Sequence, residues 1–327
     1  EIGVGAWAAP SVEIRSSTVA FAQLPLLSAG THAVWVRDGA GGGEVLAAAL
    51  DIPLSTAEPT VMWPEAVTRA LRHGETLWGA AGNTVYSSRP AGFSRTYFLP
   101  SGTEVSDLAI DGQERLLIST TDGLYRGQDS RVEFVSQGRF FGLASWSPGV
   151  WVAGGIGALA VTVDDGENFT FYRLNEGLQA LSFTDVRGPL LVGVDFQGAL
   201  KLGDDVGRGP WRDFRPEGVE LRGIRDFATL PSGCERFAFV TDAGLQWSAA
   251  DDGPLELEVL DVQRVLRAGD RVFAAGFETV WSWELNEWAP VARLLDAGVV
   301  TALAASDDGN DVHVFQGRTE TLIRMED

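Results

Sequence analysis

Short apolar runs separated by Gly, Asp and Pro recur along the chain, and no long helical period interrupts them. Runs of this length that alternate apolar with polar residues are typical of half-buried strands. Five of the runs end alike, with two small or polar turn residues and then glycine. They are residues 97–102 (YFLPSG), 133–138 (EFVSQG), 172–177 (YRLNEG), 213–218 (DFRPEG) and 293–298 (RLLDAG). The pattern therefore indicates a repeated unit.

The length of this unit predicts its architecture. Two weaker copies of the ending, residues 61–66 (VMWPEA) and 258–263 (EVLDVQ), fall in phase with the other five. Three further apolar runs precede the ending in each unit, so that one repeat contains four short strands. Four strands in about 40 residues are typical of one blade of a β-propeller, which makes the predicted fold class all-β.

The repeat ends favour a ring of eight four-stranded blades, with seven as the alternative if the first or sixth unit is distorted or inserted. The predicted units are residues 17–66, 67–102, 103–138, 139–177, 178–218, 219–263, 264–298 and 299–327 plus 1–12. The last unit has only three runs of its own, so residues 1–12 are expected to complete it and to close the ring by pairing the two termini. No composition break divides the chain, and residues 1–327 are predicted to be one domain.

Charge and cysteine content exclude several function classes. The chain has 45 Asp and Glu against 25 Lys and Arg, a net charge of −20. Nucleic-acid binding relies on clustered Lys and Arg, so we expect no nucleic acid partner. The single cysteine, Cys234, excludes an internal disulfide and a cysteine-rich zinc site. The longest uncharged stretch, residues 140–163, is divided by the turn signal Pro148-Gly149, so no transmembrane segment is predicted.

Metal and cofactor motifs are missing from the sequence. Acidic pairs occur at four turns but lack the spacing of a calcium loop. These pairs are Asp164-Asp165, Asp204-Asp205, Asp251-Asp252 and Asp307-Asp308. The three histidines, His32, His73 and His313, lie far apart in the sequence. We therefore predict no metal, no cofactor and no catalytic residue.

One turn carries a family resemblance. Residues 162–169 (TVDDGENF) resemble the Asp-box of sialidase-like and related propellers, Ser/Thr-x-Asp-x-Gly-x-Thr-Trp/Phe, with Asn168 in place of the usual Thr. The resemblance places this turn between the third and fourth strands of a blade. It implies a structural role for four residues, Thr162, Asp164, Gly166 and Phe169.

In size and repeat layout the chain is similar to one group of Asp-box (BNR-like) propellers, the photosystem II stability/assembly factors, and it shares the box with sortilin-type receptors and sialidases. The first similarity implies a non-catalytic accessory or assembly subunit of a membrane complex, with a photosynthetic complex as one such setting. Its partners would be proteins, integral membrane subunits among them.

The alternative function is a carbohydrate-binding or sialidase-like glycosidase propeller. A sialidase-like site needs three arginines, an acid/base Asp and a Tyr nucleophile with a Glu partner. The chain has only four tyrosines, Tyr86, Tyr97, Tyr125 and Tyr172, and the early Phe-Arg-Ile-Pro motif of that family is missing. A glycosidase of another kind would need two carboxylates facing each other in the central pocket.

Three tryptophans crowd one predicted blade. Alternation along a strand places Trp281 and Trp283 on the same face, and Trp288 follows shortly after. They either pack between adjacent blades or form an exposed aromatic platform for a partner or a sugar ring.

The sequence as a whole favours a non-enzymatic scaffold that docks on a protein partner. Because the sequence starts at Glu1 and has one cysteine, we expect an extracytoplasmic protein, periplasmic or extracellular. Any association with a membrane would be made through a partner or through residues that precede Glu1.

Overall fold

The computed structural model describes residues 56–89, 92–173, 223–230, 237–241, 244–248, 261–284, 287–295 and 297–325, together with strand backbones within residues 2–52, 183–213 and 255–258. Every regular element in these segments is a β-strand.

In the part of the chain before residue 53 that the structure describes, there are six strands. They are β1 (Ile2–Val4), β2 (Trp7–Ala8), β3 (Ser11–Ile14), β4 (Ala20–Gln23), β5 (Gly30–Arg37) and β6 (Gly43–Ile52). They form two antiparallel sheets, one in the order β2-β1-β5-β6 and the other from β3 and β4. Two short strands follow, β7 (Thr56–Ala57) and β8 (Val61–Met62).

Six blades follow, each an antiparallel sheet of four consecutive strands. Blade 1 is β9 (Arg69–His73), β10 (Thr76–Ala81), β11 (Thr84–Arg89) and β12 (Gly92–Phe98). Blade 2 is β13 (Val105–Ile110), β14 (Leu116–Thr120), β15 (Gly123–Gln128) and β16 (Arg131–Gln137). Blade 3 is β17 (Phe140–Ser147), β18 (Val150–Gly155), β19 (Ala158–Thr162) and β20 (Thr170–Arg173).

The second half of the ring repeats the same arrangement. Blade 4 is β21 (Phe183–Thr184), β22 (Leu190–Val194), β23 (Leu200–Asp204) and β24 (Trp211–Asp213). Blade 5 is β25 (Asp226–Thr229), β26 (Phe237–Thr241), β27 (Gly244–Ser248) and β28 (Leu255–Glu258). Blade 6 is β29 (Val262–Ala268), β30 (Arg271–Gly276), β31 (Thr279–Glu284) and β32 (Glu287–Leu294). The strand β7 pairs in parallel with the outer edge of blade 6.

A composite sheet closes the ring. Its first three strands are β33 (Ala302–Ala305), β34 (Asp311–Gln316) and β35 (Thr319–Arg324), and its fourth is β8, which pairs with β35 in the register Val61 with Glu320. The first strands of the six blades contact one another in chain order, and β33 contacts both β29 and β9. We call this element the closing sheet.

The predicted eight-bladed ring is wrong. Residues 17–66 do not form a blade, because β5 pairs with β1 and β6, whereas β7 pairs with blade 6 and β8 with the closing sheet. Residues 1–12 do not complete the last sheet, because β1 pairs with β5 and β8 occupies the place beside β35. Neither predicted count, eight or seven, is the number of blades built from four consecutive strands, which is six.

The apolar core lies between neighbouring blades. The second strands β14 and β26 are buried at every position, since blades cover both of their faces, whereas the outer strand β16 contains only exposed and half-buried residues. One core cluster joins Val85 and Leu99 of blade 1 to Leu108 and Ile118 of blade 2. Burial on both faces explains why the middle strands read as continuous apolar runs in the sequence.

Trp63, directly after β8, anchors the closing sheet. Its indole is fully buried, packs edge-to-face on Phe315, and lies so close to Gly79 of blade 1 that a Cβ there would stand 2.5 Å from the ring. The indole N–H donates a 2.6 Å hydrogen bond to Glu320 Oε2. The other carboxylate oxygen of Glu320 lies 2.8 Å from Nδ1 of buried His313.

Arg72 of blade 1 completes this network. Its Nη1 lies 2.6 Å from Nε2 of His313 and 3.0 Å from a carboxylate oxygen of Asp311. Because a guanidinium only donates, Nε2 of His313 is the acceptor and its Nδ1 carries the proton that Glu320 accepts. The network thus joins β8, the closing sheet and blade 1.

We predict that Trp63→Ala lowers the free energy of unfolding by about 3–5 kcal/mol, because it leaves a cavity and removes the partner of a buried carboxylate. The matched control is Met62→Ala in the same segment. Met62 is 65% exposed, and its replacement should change stability by about 0.5 kcal/mol or less. Urea unfolding of both variants measures the difference, and similar losses in the two would contradict the role of Trp63.

Candidate functional site in the central channel

The first strands of blades 1, 2, 3, 5 and 6 and of the closing sheet line a central cavity of about 470 Å³. A β-bulge interrupts the pairing of β13 at Ser106, of β17 at Phe141 and of β29 at Gln263. Bulges commonly re-aim the adjoining side chains. The residues that follow the first and third bulges, Asp107 and Arg264, line the cavity.

Two aspartates in the cavity wall hold neighbouring blades together. Asp107 accepts hydrogen bonds from the backbone N–H of Leu108 in its own strand (2.9 Å) and of Leu143 in blade 3 (2.8 Å). Asp226 repeats this arrangement one half-ring away. It accepts from the N–H of Phe227 (3.1 Å) and of Val265 in blade 6 (3.0 Å).

Two arginines make the complementary contact with backbone carbonyls. Arg69 donates from Nε to the carbonyl of Ser106 in blade 2 and from Nη1 to that of Thr68 (2.7 Å). Arg264 donates from Nε to the carbonyl of Thr301 beside the closing sheet (3.2 Å) and from Nη1 to that of Gln263 (3.0 Å). Each guanidinium is therefore fixed at two of its three nitrogens.

The charges in the cavity influence one another. Burial raises the pKa of Asp107 to about 6, although two backbone hydrogen bonds and the charge of Arg69 lower it. Burial also raises the pKa of Asp226. Burial lowers the pKa of Arg264, and so do the charges of Arg69 and Arg225, whereas Asp226 acts in the opposite direction. The five charged groups, two aspartates and three arginines, are thus close enough to interact across the cavity.

Two carboxyl groups lie in the cavity wall, as a glycosidase would need. Asp107 and Asp226 both line the cavity, but each of their oxygens already accepts a backbone N–H. None of the four tyrosines is among the described residues of the cavity wall. Tyr86 donates to Glu65 (2.7 Å) from the third strand of blade 1, and burial raises its pKa, which opposes its ionisation as a nucleophile.

The turn at residues 162–169 joins the third and fourth strands of blade 3. The hydroxyl of Thr162 donates to Asp164 Oδ1 (2.7 Å) and accepts from the N–H of Gly166 (3.0 Å). Asp164 also accepts from the backbone and the side chain of Asn168 (2.9 and 2.8 Å). These hydrogen bonds lower the pKa of Asp164 to about 2, and the bond from the Asn168 side chain has the largest effect. Phe169 packs half-buried on the core between blades 2 and 3.

This turn also contacts blade 2. Glu167 forms ion pairs with Arg115 and Arg126, and Arg115 donates to the carbonyl of Asp165 (2.7 Å). The side chain of Asp165 accepts from the N–H of Gly112 (2.9 Å). Through these contacts the turn holds blade 3 against blade 2.

The three tryptophans of blade 6 pack in the core between blades 5 and 6. Trp283 and Trp288 lie opposite each other on β31 and β32 and are buried, with ring centroids 5.3 Å apart. Trp281 is partly buried against the same cluster. The folded chain therefore does not present Trp283 and Trp288 at its surface as a platform.

The histidines and acidic pairs have local partners where the structure describes them. His73 lies 2.7 Å from Glu114, and His313 belongs to the Trp63 network. Asp308 accepts hydrogen bonds from Ser306 and Asn310 in its own turn. The side chains of His32, Cys234 and the pairs at 204–205 and 251–252 lie outside the described residues. In the described part of the chain, no group of three or more His, Cys, Asp or Glu could hold a metal ion.

Sequence reasoning missed the channel arginines. Thr68-Arg69, Ser106-Asp107, Arg225-Asp226 and Gln263-Arg264 occupy the same phase of the repeat, close to the start of an inner strand. Aligning this phase across the units would have shown a charged position within otherwise apolar strands.

Among the described residues, no helix is long and apolar enough to cross a membrane.

The comparisons with known proteins show the fold. No protein-family model and no curated protein matches the chain. A chain in a crystal structure of the mitotic checkpoint complex is similar, with 15% identity, a TM-score of 0.66, and coverage of 86% of this chain and 100% of that one. The WD40 repeats of RRP9 match with 10% identity, a TM-score of 0.64, and coverage of 84% and 100%.

A bacterial protein has the same fold over part of its length. PorZ, a surface component of the type-IX secretion system of Porphyromonas gingivalis, matches with 15% identity and a TM-score of 0.57, over 82% of this chain and 39% of that one. At such identities the likeness shows a β-propeller and no more. The resemblance to Asp-box propellers and to photosystem II assembly factors stays a prediction.

We predict that Asp107 makes stability depend on pH. Its pKa is about 6 in the folded protein against an ordinary 3.8, so its contribution to stability is fully present below pH 3.8 and is lost as the pH rises through 6. Relative to Asp107→Asn, the wild type should lose up to about 3 kcal/mol between pH 4 and pH 7, since one pKa unit corresponds to about 1.4 kcal/mol.

Urea unfolding of both proteins across this pH range measures the effect. Ser145→Ala is the control, because it changes the same cavity wall without removing a titratable group. A wild-type advantage over Asp107→Asn that stays constant across the range would refute the prediction.

Proposed function

We propose that this chain is a non-enzymatic propeller scaffold that docks on a protein partner through the outer strands of blades 1 to 3. The carrying observation is that each of three successive blades exposes a phenylalanine on its outer strand, namely Phe98 (58% exposed) on β12, Phe134 (53%) on β16 and Phe171 (48%) on β20. Aromatic side chains are enriched at protein interfaces.

Each of the three rings is supported on one side. Arg95 lies over the ring of Phe98, 4.4 Å from its centroid. Phe134 packs edge-to-face on Tyr125 at 5.3 Å and covers Gly123, where a Cβ would stand 2.7 Å from the ring. Phe171 lies 6.4 Å from buried Phe140. Side chains held in this way lose little rotamer entropy when a partner covers them, which favours binding.

The non-enzymatic part of the proposal rests on the channel. Its two carboxylates, Asp107 and Asp226, bond to the backbone of neighbouring strands, and the propeller supplies no tyrosine to the described cavity wall. We assign the docking to the outside of the cytoplasm, in an accessory or assembly role beside a membrane complex, a photosynthetic one included. The sequence similarity of residues 162–169 to Asp-box propellers supports this setting, and the single cysteine is compatible with it.

The test is affinity purification of the tagged protein from a gentle detergent extract of its source cells, followed by mass spectrometry. We expect a stoichiometric protein partner with the wild type. The triple variant Phe98→Ser, Phe134→Ser, Phe171→Ser should retain about one tenth or less of it, because interface aromatics often contribute 2 kcal/mol or more each.

The matched control replaces two exposed apolar residues between blade 6 and the closing sheet, Leu295→Ser and Val299→Ser. It should retain the partner. Two results would overturn the proposed docking surface. One is purification of the wild type without any partner, and the other is recovery of as much partner with the triple variant as with the wild type. Separation of the extract into soluble, membrane and exported fractions tests the location independently.

A further inference from the structure

The cavity wall contains an excess of positive charge in a strongly acidic protein. Arg69, Arg225 and Arg264 line it together with Asp107 and Asp226, while the chain as a whole has a net charge of −20. The two carboxylates bond to backbone N–H groups, and neither forms an ion pair with Arg69 or Arg264. The cationic groups of Arg69 and Arg264 are therefore not neutralised by direct contact with either aspartate.

Each of these two guanidiniums keeps one amino group unused. Arg69 donates from Nε and Nη1 to the backbone carbonyls of Ser106 and Thr68. Arg264 donates from the same two nitrogens to the carbonyls of Thr301 and Gln263. No described residue accepts a hydrogen bond from Nη2 of either arginine. The backbone bonds hold both forks in place before a ligand arrives, so little side-chain entropy is lost on binding.

The charges repel one another in the free protein. Besides burial, the positive charges of Arg69 and Arg225 lower the pKa of Arg264, although the charge of Asp226 raises it by more than either of them lowers it. An anion between them would relieve this repulsion and would satisfy the unused N–H groups. Arginine forks match the planar oxygens of carboxylates and the oxygens of phosphates.

We propose that the central channel binds a small organic oxyanion, with a carboxylate or phosphate head held by Arg69 and Arg264. A cavity of about 470 Å³ is in the range of small-molecule sites. Leu71, Leu143 and Ala302 contribute apolar wall, which suits a ligand with a short carbon body. This binding site is separate from the docking surface on the outer strands, and its test does not depend on a protein partner.

Isothermal titration calorimetry at constant ionic strength tests the proposal, with inorganic phosphate and succinate as the two probes. We expect at least one probe to bind with a stoichiometry near one and a dissociation constant of about 1 mM or lower. The probe that binds more tightly identifies the head group. Arg264→Gln should weaken its binding about tenfold or more, as loss of a charged hydrogen-bond donor does.

Two further variants keep the test decisive. Arg131→Gln makes the same charge change at an exposed position of the outer strand β16 and should bind within about twofold of the wild type, since Arg131 is not among the residues of the cavity wall and salt screens exposed charges. Ser145→Asp leaves every arginine contact intact but adds a negative charge to the cavity wall, and it should also weaken binding about tenfold. The absence of saturable binding by both probes, or equal affinity in Ser145→Asp and the wild type, would overturn the site.

Discussion

The ring depends on one short strand pair. The sheets of a propeller form a ring only when the last sheet is joined to the first. Here β8 makes that junction by pairing with β35, which lies more than 250 residues away in the chain. Two residue pairs are a small contact for that task. The buried indole of Trp63 and its bond to Glu320 add the packing and the polar contact that the pair lacks. The bond from Arg72 to His313 then attaches the closed sheet to blade 1.

Closure also explains how the channel is organised. Once the inner strands form a ring, each one needs contacts with its neighbour that do not come from sheet hydrogen bonding. Asp107 and Asp226 supply them by accepting N–H groups, and Arg69 and Arg264 by donating to carbonyls. Charged side chains in the channel are thus structural first. The unused nitrogens of the two arginines remain as the only part of this system that we assign to a ligand.

Periodicity in the sequence was enough to predict an all-β propeller, because each blade needs the same order of four short strands and turns. It could not identify the strand beside β35. Residues 1–12 and 61–62 both contain short apolar runs, and a pairing that joins Val61 to Glu320 leaves no local signal. Likewise, alternation placed Trp281 and Trp283 on one face of their strand. It could not show whether that face is exposed, because neighbouring blades cover both faces of a blade. The outer phenylalanines were not singled out, since a half-exposed Phe134 and a buried Phe140 look alike in a sequence.

Hydrogen exchange of the intact protein, read by mass spectrometry at the level of single segments, tests the closure most directly. The amides of Thr60, Trp63 and Val67 donate to Glu320, Arg318 and Gly317. If closure by β8 holds the ring as one cooperative unit, these amides exchange only through global unfolding, with the same free energy as the buried strand β34. Fast local exchange of residues 60–67, while β34 stays protected, would contradict the account.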